Sequence, residues 1–148
     1  MKRSGFTLLE LIVVIIIIGL LATLGLTQYG RVIEKSRGAE ARTILGSIRS
    51  LAASHHLEYN SLTTPAFNAT QAGLGTDNDQ IPSECRASNY FRYDIATTDH
   101  QLTTTATRCG AAGKGGATPS AAKTFTLVTV FPSTTSEPSD TWGGDGGY

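Results

Sequence analysis

Proline is missing from the first 64 residues of this 148-residue chain, and its five prolines all fall between positions 65 and 138. Nothing in residues 6–62 therefore removes a backbone donor from a helix. Charge is almost missing from residues 6–26, where Glu10 is the single ionised side chain. That apolar run of 21 residues matches the ~20 that a helix needs to cross a bilayer. Neither sign of charge prevails over the whole chain, with twelve Lys and Arg against twelve Asp and Glu. This balance lacks the clustered basic face of a nucleic-acid binder, so no nucleic-acid partner is expected. Cysteine is scarce. Cys85 and Cys109 both lie beyond the apolar run, and His55, His56 and His100 stand at no zinc-ligand spacing with them. Outside the cytoplasm such a pair reads as a disulfide. No metal and no cofactor are expected.

Lys2 and Arg3 precede Gly5, and Phe6 opens the apolar run. Basic flanks stay cytoplasmic, which puts everything beyond Leu26 outside, although Arg31, Lys35 and Arg37 on the far side weaken the count. Ile12 and the β-branched residues 13–18 would favour a strand in water. In lipid, where every backbone group needs an internal partner, a single segment can only be helical. Glu10 within it costs on the order of 2.5–3.5 kcal/mol at mid-membrane and needs a purpose or a partner.

The basic leader ending in Gly5, followed by Phe6, Thr7, Leu8, Leu9, Glu10, Leu11 and Ile12, closely resembles the start of type IV prepilins and the related pseudopilins. The resemblance is specific over about thirty residues and continues beyond them only as general layout. It implies that a membrane-embedded aspartyl peptidase cuts between Gly5 and Phe6 and methylates the new amine of Phe6. It also implies that Glu10 pairs with the Phe6 amine of an adjacent subunit during filament assembly. The implied partners are further copies of the chain in a helical homopolymer, prepilin peptidase, the inner-membrane assembly machinery, and the membrane before assembly. The implied location is the inner membrane for the precursor and a cell-surface filament afterwards. The expected organisation is a leader at residues 1–5, an apolar membrane and filament-core helix at 6–28, and an extracytoplasmic head domain at 29–148.

Two alternatives stand beside the pilus subunit. A type II secretion pseudopilin would share the same start. An ordinary secretory signal would have an apolar stretch of only about 7–15 residues and a small-x-small cleavage site. Here no Ala-x-Ala follows the run, and such a signal would not account for Glu10; a soluble or tethered binding domain would be its product. The chain also departs from a common pilin pattern, which has proline about where Thr27 stands. Gly19, Gly25 and Gly30 remain as weak points at about 1 kcal/mol each, and local melting between Gly19 and Gly30 in a filament is an expectation.

Beyond Tyr29, Ala41, Ile44, Leu45, Ile48, Leu51 and Ala52 recur at three- and four-residue spacing, one apolar face of a helix. Glu34, Lys35, Arg37, Glu40, Arg42 and Arg49 occupy the opposite face. The economical reading is one helix of about fifty residues, spanning about 75 Å. Residues 59–89 read as a long loop with a helical turn near 69–74. Strands are predicted at 90–96, 101–108 and 123–131, the last with Phe125, Leu127, Thr129 and Phe131 on one side. Three antiparallel strands packed on the helix stripe give an α+β, pilin-like fold, with the cysteines pinning the open end of the first hairpin. The segment after Pro132 reads as an irregular tail on which Trp142 and Tyr148 could dock.

Other motifs carry less. GAAGKGG at 110–116 lacks the Ser or Thr after its lysine that a phosphate-binding loop requires, and it sits between strands. Glu137, Asp140 and Asp145 are scattered acids of the kind that hold calcium in some pseudopilin tails, but a solvated tail accounts for them better. Asn68, Ala69 and Thr70 match a glycosylation sequon, a short pattern that arises by chance. Ser54, His55 and His56 are consecutive and so cannot share a helix face as a catalytic trio. No enzymatic activity is expected.

Overall fold

The structure, a computed structural model, describes residues 5–110, 119–133 and 136–144. It confirms an α+β, pilin-like architecture: one long helix and a small antiparallel sheet. Helix α1 runs over Leu8–Tyr59 without interruption and continues through Gly19, Gly25 and Gly30. The chain divides into two units, residues 1–36 and 37–147.

In the first unit α1 is apolar from Leu8 to Leu26 apart from Glu10 and Thr23, and every described side chain from Phe6 to Leu26 is exposed. It is the one helix among the described residues that is long and apolar enough to cross a membrane. Its large side chains have no burial within the chain, from Phe6 and Leu8 to Leu24 and Leu26.

In the second unit α1 has one buried stripe. Ala41, Leu45, Ile48 and Ala52 are fully buried, and the same stripe continues to His55 and His56. The alternating spacing of three and four residues keeps these positions on one face. Ile44 is half-buried and Leu51 is 44% exposed, so the true stripe is narrower than the sequence pattern suggests. The helix stops at Asn60, which takes a left-handed conformation (φ 52°) while its N–H donates to the carbonyl of His56 at 2.7 Å. Asparagine tolerates that cap conformation.

The loop that follows holds two short parallel strands, β1 (Leu74–Gly75) and β2 (Ile81–Pro82). The main sheet is a four-stranded antiparallel meander: β3 (Phe91–Thr98), β4 (Gln101–Cys109), β5 (Pro119–Val130) and β6 (Ser139–Gly143). Register pairs Thr98 with Gln101 and Phe91 with Arg108 across the first hairpin, and Ala106 with Phe125 across the next. Alternation places Phe91, Tyr93, Leu102, Ala106, Phe125 and Leu127 on the buried face. Two threonines share that face. Thr104 donates to the carbonyl of Leu127 at 3.2 Å, and Thr129 donates to Asp140 at 2.7 Å, so neither buried hydroxyl is orphaned.

Strand β6 corrects the expected irregular tail. Residues Ser139–Gly143 pair with Thr126–Val130, giving four strands in place of three. Asp140 accounts for this, because its carboxylate accepts from Thr129 and pairs with Arg49 Nε of α1 at 3.1 Å. Gly144 then adopts φ 105° against the Thr124 carbonyl, where a Cβ would collide with backbone. Trp142 lies in this strand and stays half-exposed. Tyr148 and Asp145 lie outside the described residues, as do residues 111–116 of the glycine-rich segment.

Candidate functional site

The start of α1 is built around Thr7. Its carbonyl accepts the first helical bond, from Leu11 N–H at 3.3 Å, which makes Thr7 the N-cap. The Thr7 hydroxyl accepts from the Glu10 amide at 3.3 Å, while Glu10 Oε2 lies 3.4 Å from both the Thr7 amide and the Thr7 hydroxyl. This is a capping box, threonine at the cap and glutamate three residues on, in which each side chain reaches the other's backbone donor. The signal stood in the sequence as Thr-x-x-Glu, hidden inside a segment whose apolar character dominates its reading. Glu10 therefore has a local partner at the positive end of the helix dipole.

Gly5 and Phe6 precede the cap, are non-helical and are exposed, Phe6 at 83%. The bond between them lies outside the helical hydrogen-bond ladder. Cleavage there would leave a cationic amine beside the helix N-terminus, a position that disfavours positive charge. The carboxylate of Glu10 in the first turn offsets that cost. Residues 1–4 lie outside the described residues.

In the head unit Cys85 and Cys109 form a disulfide with Cα atoms 5.7 Å apart. It ties the segment before β3 to the end of β4, as the sequence suggested. Arg37 and Arg108 both lie over the ring of Tyr90, at 4.2 and 5.1 Å from its centroid. Arg42 lies over Phe125 at 5.2 Å. Two of the helix arginines off the apolar stripe thus also touch aromatic rings, Arg37 half-buried and Arg42 exposed.

Among the described residues no group of three His, Cys, Asp or Glu side chains is placed to hold a metal. Asp140 is engaged by Arg49 and Thr129, and Glu137 is exposed. Asn68 is exposed and exchanges hydrogen bonds with Gln71. Ser54 donates to the Leu51 carbonyl, apart from the two histidines beside it.

Those histidines form a network that the sequence does not reveal, because its members are 44 residues apart. His56 Nε2 lies 3.1 Å from His100 Nδ1, and His56 stacks on Phe131 at 5.0 Å between centroids. His100 Nε2 is 3.4 Å from Asp99 Oδ2. The other oxygen of Asp99 accepts from the hydroxyls of Ser61 and Thr63, and these bonds hold its carboxyl below the usual range. Burial, helped by the nearby His100 and opposed by Asp99, pushes His56 below its ordinary 6.5.

Comparison with known proteins agrees with the start of the chain. The family model described as the prokaryotic N-terminal methylation motif matches residues 1–26. The type II secretion system core protein G of Pseudomonas aeruginosa is 37% identical over 73 residues, covering 49% of this chain and 48% of that protein. The match thus spans about half the length of the relative. No solved structure matches. The apolar helix opened by a threonine–glutamate cap, with an exposed Gly–Phe junction just before it, thus begins within the residues that match the prepilin-type N-terminal methylation motif.

Proposed function

We propose that the chain is a structural subunit of a type IV pilus-like filament, held in the inner membrane as a precursor and displayed at the cell surface after assembly. The observation that carries this reading is the exposed Gly5–Phe6 junction beside a capped, wholly unburied apolar helix. Prepilin peptidase would cut that junction and methylate Phe6, and the assembly machinery would draw the helix out of lipid. Helices packed on copies of one another would bury the side chains that the single chain leaves open, which supplies most of the cohesion. Glu10 would then exchange its own cap for the Phe6 amine of a neighbour. An unpaired carboxylate is costly in that setting, so the pairing sets axial register as well as adding attraction. The similarity to a type II secretion core protein favours a second reading, a subunit of a secretion pseudopilus.

The test combines processing and assembly. The N-terminal peptide from sheared filaments should begin at Phe6 and carry one methyl group. A start beyond Leu21 would overturn the proposal, while processed protein found only in membranes would favour the pseudopilus. Glu10→Ala should abolish filament yield with the head still folded. Glu10→Gln keeps the capping box, since glutamine serves at that position, but removes the charge. Loss with both variants supports the pairing with Phe6; normal yield from Glu10→Gln would reduce Glu10 to a helix cap.

A further inference from the structure

The first part of the loop after α1 is fastened by backbone hydrogen bonds near the β3–β4 turn. Leu62 N–H donates to the Asp99 carbonyl at 2.9 Å, Phe67 N–H to the Leu62 carbonyl at 2.8 Å, and Phe131 N–H to the His100 carbonyl at 2.7 Å. The end of the helix, the loop at 60–67, the β3–β4 turn and the residue after β5 therefore meet at Asp99 and His100. Helix side chains meet this knot through the His56–His100 hydrogen bond, the packing of His56 on Phe131 and of His55 on Phe67, and His55 Nδ1 at 3.2 Å from the Ser61 carbonyl.

We propose that His56, His100 and Asp99 form an acid-opened latch, closed while the two imidazoles share one proton across their 3.1 Å contact and opened when both rings are fully protonated. Asp99 beside Nε2 of His100 places the His100 proton there, which leaves Nδ1 as an acceptor. The shared proton then belongs to Nε2 of His56. One further proton enters at Nδ1 of His56, where burial opposes it and so weakens closure, but it leaves the shared bond intact. A second must enter at Nδ1 of His100, and two N–H groups then face each other where one bond stood. The bond is then lost, and two adjacent cations add repulsion.

The surroundings support opening at this bond. The titratable groups facing His56 are His100 and Asp99 from the β3–β4 turn and His55 from its own helix; Phe131 and the hydroxyls of Ser61 and Thr63 carry no charge. Asp99, held low by Ser61 and Thr63, remains an acceptor while the histidines titrate, so the histidine pair is the labile element. His56 borders a surface hollow of about 430 Å³ lined also by Ala53, Leu57, Asn60 and Phe131. Burial holds the folded pKa of His56 below its unfolded 6.5. The open form therefore binds protons more readily, and closure weakens as pH falls through 6.5 toward the lower folded value. Above that window the latch is insensitive to pH.

The experiment is amide hydrogen exchange on the full chain in detergent at about pH 7.5 and about pH 5, corrected for intrinsic rates. Protection of Leu62, Phe67 and Phe131 should fall severalfold on acidification, while that of Leu127 in the central sheet holds. His56→Gln should remove the acid response, and His55→Gln should retain it. Unchanged protection in the wild type, or an equal acid response in His56→Gln, overturns the latch. Ring-nitrogen shifts of the wild type need no variant: His56 and His100 must titrate in two linked steps, and two independent single-step curves overturn the proposal even if His56→Gln fails to fold.

Discussion

Replacing Asp140 tests whether the fourth strand is held by polar contacts. The Asp140 carboxylate accepts from the Thr129 hydroxyl at 2.7 Å and pairs with Arg49 Nε at 3.1 Å. Thr129 is fully buried, whereas the Arg49 and Asp140 side chains are 30% and 35% exposed. Asp140→Ala leaves the Thr129 hydroxyl buried without its acceptor, a loss of about 1–3 kcal/mol. The ion pair, a third open to solvent, adds no more than about 0–1 kcal/mol. The expected destabilisation is about 2 kcal/mol, or about 8 °C in Tm for a head of this size. Asp140→Asn keeps an acceptor for Thr129 and should lose only the ion-pair share. Adding Thr129→Val to Asp140→Ala removes the orphaned hydroxyl, so the double variant should recover about 1 kcal/mol against the sum of the singles. Urea unfolding of the full chain in detergent measures all four, read by Trp142, the single tryptophan of the chain, two residues beyond Asp140 on β6. Equal losses from Asp140→Ala and Asp140→Asn, or a coupling of zero with Thr129→Val, would refute the reasoning.

Leu45→Ala removes a fully buried side chain from the helix stripe and should destabilise the head by about 2–5 kcal/mol. Leu51→Ala, at a position of the same sequence stripe that is 44% exposed, should stay within about 0.5 kcal/mol; thermal unfolding of the pair reads the difference. Reducing the Cys85–Cys109 disulfide, whose cysteines are 24 residues apart, should lower stability by about 3 kcal/mol in the chain-entropy account. Urea midpoints with and without reductant check it, and coincident curves would mean that the bridge constrains nothing.

The legible parts of the molecule are those where one physical demand dominates. An apolar run with a single carboxylate can only be helical in lipid, so the first half of α1 is readable from its composition alone. Strand β5 is readable because its β-branched and aromatic residues put Phe125, Leu127 and Thr129, with Phe131 just after the strand, on one side, and all four are buried. Strand β6 is not, because all five of its residues are exposed and its place comes from pairing with β5 and from one aspartate. Its composition of Ser, Asp, Thr, Trp and Gly argues for a loop. Leu51 misleads in the opposite sense: its spacing fits the stripe, but the buried positions follow Ala41, Leu45, Ile48 and Ala52, which leaves Leu51 at the edge. The His56–His100 contact joins the end of α1 to the β3–β4 turn, and no local pattern encodes a pairing over that separation.

The two units solve burial in different ways, and this bears on how substitutions will act. The head from Arg37 onward encloses its apolar side chains and satisfies the buried hydroxyls of Thr104 and Thr129 internally, so its stability is a property of the single chain. Residues 6–26 have no such enclosure: their exposed aliphatic side chains would be unfavourable in water by about 25 cal/mol for each Å². They are stable only where lipid or other apolar helices take the place of a core. The capping box compensates for none of that area, because a cap contributes about 1 kcal/mol. It acts at one point only, where it satisfies the first helical donors and holds the Glu10 side chain against the helix end. A change in the head that spares folding should therefore leave the helix free to pack, and a change at Glu10 should leave the head intact. Proteolysis of an unassembled Glu10 variant would report that separation directly, because the head would resist digestion while filaments are absent.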